Sequence, residues 1–284
     1  MGSIEEILSD GFYLWKRNKI LGVPFLINFI LLLVVFGIFI GTLIVFNPTE
    51  NMNTTRDVII HLIIIFIIVV ILFLIYMLAA SFFYAGAIGM AKKTIENGKT
   101  SLSDMFEYGK NNLINLFIFS LISSILFFGL VVISFILMFL GIGIMNICLL
   151  IFVIILTPFP YVIVIDNLGF VDSIKKGFRF IKENILCVVL LNFVTQFIFS
   201  FIFLIMISLA LIFSGIFALS LPSQLNQISL FIFLSSSTNI ILISIGVAII
   251  IVISLLLYLF VLSPLMAIWW SKLYMDRGKN VGGF

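Results

Sequence analysis

The clearest indication of the fold lies in residues 12–46, which read FYLWKRNKILGVPFLINFILLLVVFGIFIGTLIVF. The stretch begins with aromatic and basic side chains and then becomes an apolar run. About 20 consecutive apolar residues suffice to cross the hydrocarbon core of a bilayer as a helix. Aromatic and basic residues gather at the boundary between membrane and water. The stretch therefore predicts a helix at the membrane surface that leads into a membrane-spanning helix.

The composition of the whole chain agrees with this interpretation. Of the 284 residues, 63% are hydrophobic and 10% are charged, whereas roughly 25% charged is usual for a soluble domain. This excludes an ordinary soluble domain and predicts an all-α, polytopic membrane bundle. Cys148 and Cys187 both lie in apolar segments, so they are expected to be small buried side chains and not a disulfide.

The hydropathy pattern predicts a single membrane domain, residues 1–284, with six transmembrane helices. The apolar runs cover residues 20–46, 58–91, 113–139, 144–165, 185–219 and 238–270. Several runs are longer than a bilayer core of about 30 Å requires, so tilts or bends must absorb the excess. The residues expected to bend the helices are Gly86, Gly89, Pro158, Pro160 and Pro264.

The distribution of cations predicts the orientation. With six spans, 14 of the 15 Lys and Arg residues fall on the side of the two termini, and only Arg56 falls opposite. Loops rich in Lys and Arg stay in the cytoplasm. We therefore expect a multi-pass protein of the cell membrane with cytoplasmic N- and C-termini.

The opening heptapeptide, FYLWKRN, has two gapless partners, FEYGKNN (106–112) and FRFIKEN (178–184). All three follow the pattern Phe-x-apolar-x-Lys-x-Asn, and each directly precedes an apolar run. Any membrane boundary attracts aromatic residues and lysines, so the likeness has an ordinary explanation. The alternative is an internal repeat of an amphipathic cytoplasmic interfacial helix followed by a helical hairpin. The repeat predicts units of about 1–97, 98–166 and 167–284.

The same pattern predicts which side chains meet lipid. Aromatic rings sit at headgroup depth, and a Lys stem follows apolar surface while its ammonium reaches water or phosphate. We expect membrane lipids with anionic headgroups as partners, no nucleic acid, and an unknown protein partner. The residues predicted to anchor the protein at the interface are Phe12, Trp15, Lys16, Phe106, Lys110, Phe178 and Lys182.

Two segments carry a resemblance to a known group of proteins. They are YAGAIGMAKKTIENGKTSLSDMFEYGKNN (84–112) and PFPYVIVIDNLGFVDSIKKGFRFIKEN (158–184). The chain resembles uncharacterised prokaryotic six-helix membrane proteins akin to the membrane domain of glycerophosphodiester phosphodiesterases. The resemblance implies a six-helix fold. It does not imply phosphodiesterase activity, because the 284 residues contain nothing like the soluble catalytic domain. The second motif maps to Gly169, Ser173, Gly177, Phe178, Phe180, Lys182 and Asn184.

Catalytic and metal-binding patterns are absent from the sequence. The one histidine, His61, has no second ligand at metal-binding spacing. The acids all lie in loops or near helix ends, which argues against a proton-coupled carrier. A lipid-modifying enzyme would need Asp166 and Asp172 clustered with basic residues around a pocket. We expect no enzymatic activity, no cofactor and no metal.

Polar residues inside the predicted spans leave two interpretations open. Interhelical hydrogen bonds explain most such residues, whereas a shared face would line a cavity. The candidate cavity residues are Asn28, Asn192, Gln196 and Ser200, of which the last three recur at steps of four on span 5. We predict a non-enzymatic integral membrane protein that organises lipid or a membrane partner. The alternative is a transporter or channel for a lipid-like or neutral small molecule.

Overall fold

The computed structural model describes residues 3–45, 55–139, 145–219 and 252–278. Within these ranges the chain is helical and contains no strand. A 3₁₀ turn, Lys19–Gly22, joins the first two helices, and a π-helical turn, Tyr258–Leu262, precedes the last. The helices are α1 (Ile4–Arg17), α2 (Val23–Val45), α3 (Thr55–Asn97), α4 (Leu102–Phe139), α5 (Met145–Leu156), α6 (Phe159–Asp166), α7 (Phe170–Leu219) and α8 (Ser263–Gly278).

Five helical stretches among the described residues are long and apolar enough to cross a membrane. The fourth predicted span, 144–165, is not one continuous helix, because Pro158 lacks an N–H and interrupts it between α5 and α6. The predicted connections 47–57, 140–143 and 220–227, and the start of span 6, lie wholly or largely outside the described residues. The five stretches are Lys19–Val45, Val58–Asn97, Leu102–Leu137, Phe170–Ile202 and Val252–Gly278.

The buried core lies at one end of the bundle, and α3 shows this most plainly. No residue from 58 to 76 is buried, whereas all seven from 85 to 91 are. The short helix α6 is buried along its length from Phe159 to Ile165. Contacts of Lys92, Lys176 and Lys272 with neighbouring elements place these cations at the same end. We call it the cationic end.

Two glycines of α3 lie where α4 approaches it. Gly86 and Gly89, which were expected to bend the helix, lie within the continuous 43 residues of α3. A Cβ on Gly86 would lie 2.7 Å from the carbonyl oxygen of Met105, and one on Gly89 would lie 2.1 Å from Tyr108 Cγ. The glycines therefore allow α4 to approach α3 closely, as small residues do in membrane helix pairs.

A π-helical turn, Tyr258–Leu262, lies just before Pro264, which was expected to bend its helix. A proline has no N–H to donate to the carbonyl four residues earlier, which here belongs to Phe260. The Trp15 indole donates to that carbonyl at 2.8 Å. The side chain of α1 thus satisfies a backbone group that the irregular helix leaves without its usual donor.

Helix α1 docks on α8 through further contacts. The Trp269 indole of α8 donates to the Leu8 carbonyl of α1 at 3.1 Å, whereas the Trp15 indole of α1 donates to the π-helical turn that precedes α8. Gly11 permits this approach, since a Cβ there would lie 2.3 Å from Trp269 Cδ1. Lys272 and Asp10 form an ion pair at the edge of the contact. The N-terminal amphipathic helix is therefore held against the protein along one face.

The three matching asparagines share one hydrogen bond but do not all break the helix. Asn18, Asn112 and Asn184 each donate through Nδ2 to the carbonyl four residues earlier, at 3.0–3.1 Å. Asn18 ends α1, and Asn184 is non-helical within α7 (φ −126°, ψ 25°). Helix α4 runs through Asn112 without a break. The expected turn from surface helix to span is therefore seen in the first and third copies and not in the second.

Candidate functional site

The three matching heptapeptides, 12–18, 106–112 and 178–184, are termed the basic–aromatic segments. Their leading phenylalanines, Phe12, Phe106 and Phe178, are 52%, 56% and 54% exposed. Their lysines, Lys16, Lys110 and Lys182, are exposed as well. Since Phe and Lys are four residues apart, they lie on the same side of a helix. Each segment therefore presents one aromatic ring and one ammonium group to its surroundings.

The opposite side of each segment is buried. The residue before each Phe is buried, as is the residue three positions after it; these are Gly11, Met105, Gly177, Trp15, Gly109 and Ile181. Trp15 thus differs from the expectation that it anchors the protein in lipid. Its ring is 9% exposed and its indole N–H is used by Phe260, so its partners lie in the protein core.

Among the described residues, the predicted polar stripe on span 5 does not share one protein-facing surface. Asn192 is 3% exposed, donates to the Val188 carbonyl at 3.1 Å and lies 3.4 Å from the Thr157 hydroxyl. Gln196 and Ser200 are exposed. A step of four residues turns a helix by about 40° beyond a full turn, so the stripe leaves the protein contact after Asn192. Gln196 and Ser200 therefore do not share the buried surroundings of Asn192.

Asn28, the other predicted lining residue, does face a cavity. The cavity measures about 350 Å³ and lies among α2, α3, α6, the π-helical turn and α8. We call it the tyrosine cavity, because four of its lining residues are Tyr76, Tyr84, Tyr161 and Tyr258. Within this lining the side chain of Asn28 lies near Tyr76, and that of Tyr161 lies near Tyr84.

Two apolar spaces adjoin the tyrosine cavity. A groove of about 280 Å³ between α2 and α3 shares Leu32 and Tyr76 with it. A space of about 510 Å³ among α3, α4, α5 and α6 shares Tyr84 with it. The tyrosine cavity is thus a polar compartment between mostly apolar ones. The sequence reasoning missed it because it counted amides and aliphatic hydroxyls within the spans and left out the tyrosines, which were the available signal.

A second polar cluster lies at the C-terminus of buried α6. Asp166 accepts from the Tyr274 hydroxyl and pairs with Lys176 at 2.6 Å, and Lys92 donates to the Ile165 carbonyl at 2.8 Å. Cations stabilise the C-terminus of a helix by completing its free carbonyls and opposing its dipole. This cluster therefore stabilises the C-terminus of α6, where Asn167 adopts the left-handed conformation that ends the helix (φ 53°), a role that sequence spacing did not reveal.

The two acids that a lipid-modifying enzyme would need have different surroundings. Asp172 is exposed in the first turn of α7, and the carboxylate of Asp166 is occupied by Lys176 and Tyr274. Across the described ranges, no three His, Cys, Asp or Glu side chains come together as a metal-binding group.

Five long apolar helices, joined by a buried core at one end, define a multi-pass membrane protein. Residues 71–269 match the family described as Domain of unknown function (DUF7847), and the chain belongs to that family. The match extends from within α3 into α8 and so includes most of the buried core. Neither a curated protein nor a solved structure matches the chain.

Proposed function

We propose that this is a non-enzymatic integral membrane protein that organises anionic lipid around its cationic end. The observation that carries the proposal is the matched exposure of the three basic–aromatic segments. Three phenylalanines and three lysines in equivalent positions remain accessible, while the residue before each Phe and the residue before each Lys are buried. Exposed aromatic rings and lysines are the side chains that engage the headgroup region.

The electrostatic contribution is large enough to influence lipid composition. A cation near an anionic membrane surface contributes about 1 kcal/mol, which corresponds to roughly a fivefold preference per lysine. The phenylalanine beside each lysine holds the segment at headgroup depth. In this proposal the cationic end faces the cytoplasm of the cell, because Lys and Arg favour that side.

The proposal extends to the architecture. Six crossings arise if α5 and α6 together form the fourth span, and the three units 1–97, 98–166 and 167–284 then form a repeat. Residues 11–18 and 105–112 support it, because they show the same order of buried and exposed positions. The three shared asparagine hydrogen bonds support it as well. A relation to the membrane domain of glycerophosphodiester phosphodiesterases stays a prediction.

Lipid retention tests the proposal. The protein is reconstituted in bilayers of phosphatidylglycerol and phosphatidylcholine and purified, and the retained lipids are quantified. Replacing Lys16, Lys110 and Lys182 together with Gln should lower the retained proportion of phosphatidylglycerol. The matched control replaces three exposed lysines outside the Phe–Lys pairs, namely Lys19, Lys99 and Lys175. Equal losses in both variants, or none in the first, would contradict a specific role for the segments.

The tyrosine cavity favours a second candidate function, transport of a neutral or lipid-like molecule. The span-5 stripe no longer supports this candidate, so it depends on Asn28 and the tyrosines around it. Transport requires that the cavity open to water at some stage. Asn28→Cys, in a protein whose native cysteines are replaced, should then react with a membrane-impermeant thiol reagent. Reaction only with lipid-soluble reagents would oppose transport.

A further inference from the structure

We infer that the tyrosine cavity binds the head of a neutral, hydroxyl-bearing lipid whose chain lies in the adjoining groove between α2 and α3. This inference goes beyond the proposed function, because it concerns another site and an uncharged ligand. It holds whether or not the basic–aromatic segments select anionic lipid.

Unsatisfied polar atoms inside the cavity indicate a ligand. Asn28 Oδ1 and Ser263 Oγ are buried and have no hydrogen-bond partner, and both residues line the cavity. Ser263 as a whole is only 7% exposed. A buried polar atom without a partner is destabilising, and Asn28 Oδ1 can only accept. A bound group that brings a hydrogen-bond donor to Asn28, as a hydroxyl does, would satisfy this atom.

The lining also determines the charge of the ligand. Among its described residues the lining has no Asp, Glu, Lys or Arg; it consists of Phe, Leu, Met and the polar residues Asn28, Ser263 and four tyrosines. A charged head would lose its hydration here without gaining a counter-charge. The volume of about 350 Å³ lies at the lower end of the usual range for small-molecule sites, roughly 300–1,000 Å³. A small neutral head fits these conditions.

The adjoining groove accounts for the chain of the ligand. The groove of about 280 Å³ is lined by Leu, Val and Phe residues and by Tyr76. Leu32 belongs to both spaces and is 41% exposed, so the junction is open towards the surrounding bilayer. An amphiphile can thus enter sideways from the membrane with its hydroxyl directed to Asn28 and Ser263. Diacylglycerols and long-chain prenols share this chemistry.

Photolabelling of the full-length protein in bilayers tests the inference. The probe is a monoacylglycerol with a diazirine in its chain, and the labelled peptides are identified by mass spectrometry. We expect labels on the groove-lining parts of α2 and α3. Unlabelled diacylglycerol and a long-chain prenol, added separately, show which source competes, and competition by either supports the inference. A competitor with its hydroxyls methylated should compete less well, because it has no proton to donate.

Two pairs of variants provide matched controls. Ser263 and Ser271 are both buried on α8 with unpartnered hydroxyls, but only Ser263 lines the cavity. Ser263→Ala should weaken competition by about 2- to 13-fold, the effect of one neutral hydrogen bond, and Ser271→Ala should leave it unchanged. Leu32→Trp should block labelling, whereas Leu33→Trp, at a position 52% exposed that lines neither space, should not.

Three results would overturn the inference. The first is labelling spread evenly over lipid-facing positions such as Phe66 and Phe128. The second is equal behaviour of the two serine variants or of the two tryptophan variants. The third is equal competition by the hydroxyl and methylated ligands, which would indicate that water alone satisfies Asn28 and Ser263.

Discussion

The hydrogen bond between the Trp15 indole and the Phe260 carbonyl yields a prediction about stability. Pro264 leaves this carbonyl without its usual helical donor, so Trp15→Phe removes the compensating partner of a backbone acceptor. Leaving a buried acceptor unsatisfied costs about 1–3 kcal/mol. Trp269→Phe is the matched control, because the Leu8 carbonyl lies within α1 and keeps its helical donor. The hydrogen bond from Trp269 to the Leu8 carbonyl is expected to contribute about 0.5–1.5 kcal/mol to the free energy of unfolding.

Unfolding in mixed micelles with increasing SDS, followed by far-ultraviolet circular dichroism, measures both variants without relying on tryptophan fluorescence. Each variant exchanges an indole for a smaller ring, so the difference between them reports the Phe260 carbonyl together with the contact of Lys19 with the Trp15 ring, 3.2 Å from Nζ to the ring centroid. We expect Trp15→Phe to lower the free energy of unfolding more than Trp269→Phe. Equal losses, or a larger loss for Trp269→Phe, would show that the Phe260 carbonyl finds another donor and would refute the reasoning.

Three further predictions concern packing, charge and orientation. Gly89→Ala places a Cβ against Tyr108 and should destabilise the protein by about 1–3 kcal/mol. The control, Gly37→Ala, has nothing within 4 Å of its Cβ and should be neutral or slightly stabilising. Similar unfolding curves for the two variants would contradict close α3–α4 packing. Asp166→Asn should lower the free energy of unfolding at low salt. At high salt the variant should differ less from wild type, because the ion pair between Asp166 and Lys176 is partly exposed and is screened. A difference that does not depend on salt would argue against an ionic contribution. Cysteines replacing Lys110 or Lys182 should react with impermeant maleimide only from the cytoplasm, and reaction from outside would reverse the proposed orientation.

The helical content and the helix ends could be predicted well from the sequence, because hydropathy and the positions of asparagines are local signals. The breaks at Pro158, Asn18 and Asn184 were predictable for this reason. Asn112 shows the limit, since the same residue in the same pattern sits within an uninterrupted helix. The packing of α4 against α3 overrides the local preference there.

The candidate sites were harder to predict, because protein-facing and lipid-facing surfaces of a membrane helix are equally apolar. Hydropathy therefore could not tell that Trp15 points inward while Phe12 points outward, nor that Gln196 leaves the contact that Asn192 makes. Asn28 was recognised as a possible lining residue, but its tyrosine neighbours come from three separate elements, namely α3, α6 and the π-helical turn. Their convergence depends on long-range packing, which the sequence pattern does not encode locally.

The concentration of buried residues at one end has a mechanical consequence. The described parts of α2, α3 and α4 are buried in the protein near one end only, and most of their remaining length is exposed or half-buried. A membrane of altered thickness shifts helix tilt at a cost of fractions of a kcal/mol per Å. Such a shift would tilt the exposed parts of α2, α3 and α4 relative to the buried core and change their spacing, while the core itself stays intact.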